Sequence, residues 1–88
     1  MKKIENLRQE IDIIDQQIVD LFAQRFKKVQ KIGTIKKENN LLIKDNKRWN
    51  QVLDNVMQLA NINKIKPDFI KEIYELIHQY ALEIEKNI

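Results

Sequence analysis

An apolar seam that does not stop occupies the first half of this chain. Ile4, Leu7, Ile11, Ile14, Ile18 and Leu21 recur at alternating spacings of three and four, the heptad pattern of a helix that buries a narrow stripe. The stripe continues through Phe22, Phe26, Val29, Ile32 and Ile35, and no proline interrupts it. The lone glycine of the chain, Gly33, costs a helix roughly 1 kcal/mol relative to alanine and need not end it. The spacing predicts a first helix over 4–38, ended by Glu38-Asn39-Asn40, with Leu41 to Lys44 as a loop.

The rest of the chain also reads as helix, with no strand signal, repeat or low-complexity tract. Asp45 is a suitable N-cap for a second helix over 46–61, whose stripe is Trp49, Val52, Leu53, Val56, Leu59 and Ala60. Asn61-Ile62-Asn63-Lys64 breaks the period. Pro67 suits the first turn of a third helix that runs to about 87, with Ile70, Ile73, Ile77, Tyr80, Ala81, Ile84 and Ile88 facing inward. The expected fold is all-α, one domain over 1–88 with three helices and a long first one.

The first helix is too long for a globule of this size. About 35 residues make a rod of ~52 Å, whereas a compact chain of 88 residues has a radius of gyration of only ~12 Å. The excess stripe must be covered by another chain. The expectation is an obligate, intertwined homodimer in which the first helices pack on each other, driven by hydrophobic burial.

Composition removes several chemistries. There is no cysteine, one glycine and one histidine, His78. That excludes disulfides, thiolate sites and a cysteine nucleophile, a glycine-rich phosphate loop and a multi-histidine metal site; no metal or cofactor is expected. The N-terminal Met1-Lys2-Lys3-Ile4-Glu5-Asn6 has no apolar segment to act as a signal peptide, and no apolar run is long enough to span a membrane. A cytoplasmic protein is expected. The net charge is a mild +3, and of 16 basic residues only Arg8, Arg25 and Arg48 are arginine. Arginine offers a planar fork that grips a carboxylate bidentately, which lysine does not.

Polar residues stand where apolar ones belong. Arg25 takes the seam position after Ile18, Arg48 lies one turn before Val52, and Glu85 borders the inward face of the third helix between Ala81 and Ile88. An inward charge must be paired or must line a ligand site. One reading is an internal salt bridge from Glu85 to Arg25 or Arg48. The other is a ligand pocket. Lys36 follows Arg25 by eleven residues, about three turns, so the two share a face. Arg8 lies ~25 Å back along the rod and cannot reach that pocket in its own chain. In an antiparallel pair of first helices the partner's copy would come alongside. Such a pocket suits a small dicarboxylate.

Several segments carry a resemblance: Leu7-Arg8-Gln9-Glu10-Ile11-Asp12-Ile13-Ile14-Asp15, Leu21-Phe22-Ala23-Gln24-Arg25-Phe26, Val29 to Lys36 with Gly33, and Asp45-Asn46-Lys47-Arg48. Together they resemble the AroQ class of all-helical chorismate mutases over nearly the whole chain. The resemblance implies an intertwined dimer with two active sites and a role in aromatic amino-acid biosynthesis, the shikimate route. It implies that Arg8 of the partner and Arg25 bind the substrate carboxylates, supported by Arg48. Lys36 would donate to the ether oxygen of the breaking C–O bond, Glu85 would face the same oxygen, and Asp45 would help bind the ring hydroxyl. Ala81 stands where some relatives carry a small polar residue.

The chemistry suits the residues present. Chorismate to prephenate is a unimolecular pericyclic rearrangement that needs neither nucleophile nor general base. It needs the enolpyruvyl ether held in a reactive conformer and donors fixed where charge grows on the ether oxygen. One departure stands out. The residue after Arg48 is usually a carboxylate in bacterial mutases of this class, and here it is Trp49. Isochorismate-pyruvate lyases share the fold and lack that carboxylate, and the Ile77-His78 pair is similar to theirs, although His78 reads as a helix-surface residue. Mutase is the expected activity, with the lyase as the alternative. A non-catalytic helical dimerisation module accounts for the heptads but not for three arginines at family-spaced positions. Nucleic-acid binding is disfavoured because acids are interspersed with the lysines. Trp49, Phe69, Tyr74 and Tyr80 read as packing residues.

Overall fold

The computed structural model describes residues 1–88 as three α-helices and no strand: α1 (Lys2–Glu38), α2 (Asn46–Ile62) and α3 (Pro67–Lys86). Each boundary has a local cause. Asn40 takes a left-handed backbone (φ 55°) just past α1, which lets the Leu41 N–H donate to the Lys36 carbonyl at 2.8 Å and closes the helix in a Schellman turn. Asparagine accepts that conformation more readily than most residues. The Asp45 carboxylate accepts the Arg48 N–H at 3.0 Å and caps α2. A second left-handed residue, Lys64 (φ 59°), ends α2, with the Ile65 N–H on the Ala60 carbonyl at 2.9 Å. Lys66 is extended, as a residue before proline prefers, and Pro67 opens α3.

α1 and α2 each pack on α3 and not on one another. The result is an open hook, 57 Å along its longest axis, with a radius of gyration of 16.4 Å, well above the ~12 Å of a compact chain. The packed face of α1 is Phe22, Arg25, Phe26, Val29, Gly33 and Lys36, and residues 1–21 are exposed throughout. The seam from Ile4 to Leu21 lies between 43% and 60% exposed.

The buried residues are Gly33, Ala60, Ile77 and Ala81. Three of the four are small, because they sit where helix backbones approach closely. Around them Phe26 meets Tyr80 edge to face at 4.7 Å and stacks on Phe22 at 6.2 Å.

Two inward assignments from periodicity do not hold. Leu59 is 56% exposed and Tyr80 53%. α2 touches only α3, so its buried arc is narrower than its apolar arc. Tyr80 lies at the margin of the α1–α3 contact, reaching Phe26 with one edge. No helix is long and apolar enough to cross a membrane.

Candidate active site

The second half of α1, the start of α2 and the end of α3 enclose a cavity of about 270 Å³. Arg25 and Lys36 enter it from α1, Asp45, Arg48 and Trp49 from the head of α2, and Ala81 and Glu85 from α3. Seven of the eight residues singled out from the sequence therefore share one cavity. The eighth, Arg8, is exposed and far along α1, and it lines no part of this cavity.

At the centre, Lys36 Nζ lies 3.0 Å from Glu85 Oε1, with the two side chains 17% and 8% exposed. Nζ also donates to the Ile43 carbonyl at 2.6 Å, which ties the α1–α2 loop to the pair. Glu85 thus has an internal ion pair, but with Lys36 and not with Arg25 or Arg48. The reason is register: Gly33 lets α3 settle onto α1 at Glu85, and Lys36 stands one turn further along the same face. A charge pair this far from water holds only while both members stay engaged.

Arg25 is positioned differently. Its guanidinium sits over the Tyr74 ring, 5.7 Å from the centroid, a cation–π contact that steadies the group without neutralising it. Tyr74 therefore supports a charged side chain in addition to packing. Arg48 is exposed at the head of α2, where a guanidinium remains free to meet an anion. Lys28 adds a further cation to the wall, and Val29, Ile32 and Val52 supply apolar surface.

The assignment of His78 to the helix surface is overturned. Its imidazole lies flat on the Trp49 indole, 4.0 Å between centroids and 6° from parallel, and it lines the cavity. Burial holds its pKa below the ordinary 6.5; Arg25 adds to that, Glu85 opposes it and Lys44 adds a further push down. The available signal was its spacing, three residues before Ala81 and seven before Glu85, which sets it on the same face of α3 as those two. The role of Gly33 was also missed. A lone glycine inside a long helix commonly marks a close approach.

The result is a cavity with apolar walls, several helix-borne cations and one ion pair on an all-helical scaffold, a chemistry suited to a small anionic organic molecule. Residues 7–86 match the family described as Chorismate mutase type II. The bifunctional chorismate mutase/prephenate dehydratase of Buchnera aphidicola subsp. Acyrthosiphon pisum (strain APS) is 33% identical over 81 residues, covering 92% of this chain and 21% of the relative. That of Aquifex aeolicus (strain VF5) is 32% identical over 91 residues, 100% of this chain and 25% of the relative. The chain belongs to the type II chorismate mutase family. It spans about a quarter or less of the length of these curated relatives.

Proposed function

We propose that the chain is a chorismate mutase, acting as a homodimer with Arg8 reaching the partner's pocket. The observation that carries the activity is the Lys36–Glu85 pair at 3.0 Å, set in a cavity that also receives Arg25 and Arg48. The arginines bind the two carboxylates, the enolpyruvyl side chain folds over the ring, and the ether C–O bond breaks as the side chain's methylene carbon bonds to the ring. Lys36 Nζ, engaged by the Ile43 carbonyl and Glu85, has a third N–H to donate to the ether oxygen, where negative charge develops. The rigid helices hold that geometry in advance, so little ordering remains for the transition state.

Three features support the dimer. The chain exposes 7665 Å², against ~5,500 Å² for a compact monomer of this mass. The excess is the size of a substantial interface, and the Ile4–Leu21 seam lies within it. Charge along α1 is segregated: residues 5–20 carry Glu5, Glu10, Asp12, Asp15 and Asp20 against Arg8, while residues 25–37 carry six cations and no acid. Antiparallel rods bring opposite charges together, and parallel rods would stack like on like. Full antiparallel overlap of Lys2–Glu38 also sets position 8 opposite Ile32, a wall of the cavity.

Trp49 favours a second reading, release of pyruvate from isochorismate, because the indole offers no acceptor. Purified protein given chorismate and isochorismate separately, with products resolved by chromatography, decides between them. Prephenate from chorismate is expected. Salicylate and pyruvate from isochorismate, with chorismate untouched, would replace the mutase reading by the lyase.

A further inference from the structure

The cavity is rich in donors and poor in acceptors. Arg25, Lys28, Lys36 and Arg48 carry donors only, and so does the Trp49 indole. Of the two carboxylates, Glu85 is held by Lys36. Asp45 commits Oδ1 to the α2 cap and is exposed, where water satisfies an acceptor and weakens its power to discriminate. A substrate whose ring carries a hydroxyl must find a partner for that proton when the cavity closes on it, or bind with the hydroxyl unsatisfied.

Besides the second oxygens of Glu85 and Asp45, His78 is the one further side chain of the cavity with acceptor capacity. It makes no hydrogen bond within the chain, it lines the cavity beside Ala81 and Leu82, and the parallel stack on Trp49 fixes the plane of its ring. We propose that His78 is the specificity-determining residue for the substrate ring, accepting a hydrogen bond from the ring hydroxyl at an imidazole nitrogen while Trp49 holds the imidazole in place. Two features make the site fit. Burial and the cations Arg25 and Lys44 disfavour protonation, with Glu85 only partly offsetting them, so a nitrogen lone pair is available near neutral pH. The small side chain of Ala81, one turn along α3 from His78, leaves space for a ring beside the imidazole edge. Trp49 thus contributes as a support, and the acceptor comes from α3.

The proposal rests on the reading of the substrate as a hydroxylated cyclohexadiene dicarboxylate. Its test compares chorismate with the analogue lacking the ring hydroxyl in wild type, His78→Phe and His78→Gln at neutral pH. Phenylalanine keeps a flat ring on Trp49 and removes the acceptor; glutamine removes the ring and keeps an acceptor oxygen. Wild type should favour chorismate in KM by about tenfold, the usual scale for one unsatisfied polar group. His78→Phe should bind the two compounds equally, through a higher KM for chorismate alone, and His78→Gln should keep part of the preference. Helicity and melting temperature report whether each variant folds. Preference surviving in His78→Phe, absence of preference in wild type, or an equal loss for both compounds in His78→Phe overturns the proposal while leaving the mutase reading intact. Wild type converting neither compound overturns both.

Discussion

A methyl group on Gly33 would stand 3.1 Å from Cγ and 3.3 Å from Cα of Glu85, and closer still to the tip of Ile88. The Ile88 side chain can turn aside, but the backbone of Glu85 cannot do so without moving α3. Gly33 is thus the position at which α3 is let down onto α1, and that approach brings Glu85 to Lys36.

Gly33→Ala is therefore expected to lower activity through the displaced site, beyond any loss of stability. Alanine gains roughly 1 kcal/mol of helix propensity and loses about 1–3 kcal/mol to overpacking, so the net loss is about 0–2 kcal/mol. The displaced Glu85 and the loosened Lys36 should lower kcat by about tenfold or more, since small misplacements of catalytic groups are costly. Thermal melts and steady-state kinetics on chorismate separate the two effects. Unchanged kcat would remove Gly33 from the placement of the site.

Glu85→Gln should raise kcat/KM at neutral pH by several-fold. In the proposed reaction a carboxylate at this position would repel the charge that grows on the ether oxygen, whereas an amide of the same length would donate to it. The substitution also releases Lys36 from its ion pair. A variant slower than wild type at every pH would return Glu85 to a purely structural pairing with Lys36.

On the proposed shared-site dimer, Arg8→Ala and Arg25→Ala should each be nearly inactive, because each would lack one of the guanidinium groups proposed to bind a carboxylate. Unfolding and refolding the two together should restore one intact site per heterodimer, with Arg8 and Arg25 supplied by different chains. Sedimentation at low micromolar concentration should give twice the chain mass of 10.6 kDa. A folded monomer, or verified heterodimers without activity, would count against the shared site.

Stability should depend on His78 in mild acid. Its folded pKa lies below the ordinary 6.5, so the unfolded chain binds the proton more readily and stability rises with pH across that interval. The contribution is complete above about pH 6.5, declines as pH falls toward the folded pKa, and is constant below it. Urea midpoints at a series of pH values should show this slope in wild type and a shallower one in His78→Phe. Equal slopes would mean that carboxylates alone account for the acid sensitivity.

Three helices, the Asp45 cap and the Pro67 start were legible in the chain because each depends on neighbours within one or two turns. The exposed seam was legible too, since a rod's length follows from residue count and a globule's width from mass. The convergence of Arg25 and Lys36 followed from helical phase along a single element. Pairings between elements were not legible in this way. That Glu85 meets Lys36 instead of Arg25 or Arg48, that Trp49 lies on His78, and that Tyr74 supports Arg25 depend on where α3 crosses the other two helices. Tertiary packing decided those contacts, through the bare backbone of Gly33 at one crossing and Ala60 at the other. A change of one turn in either crossing would leave every helix intact and assemble a different pocket.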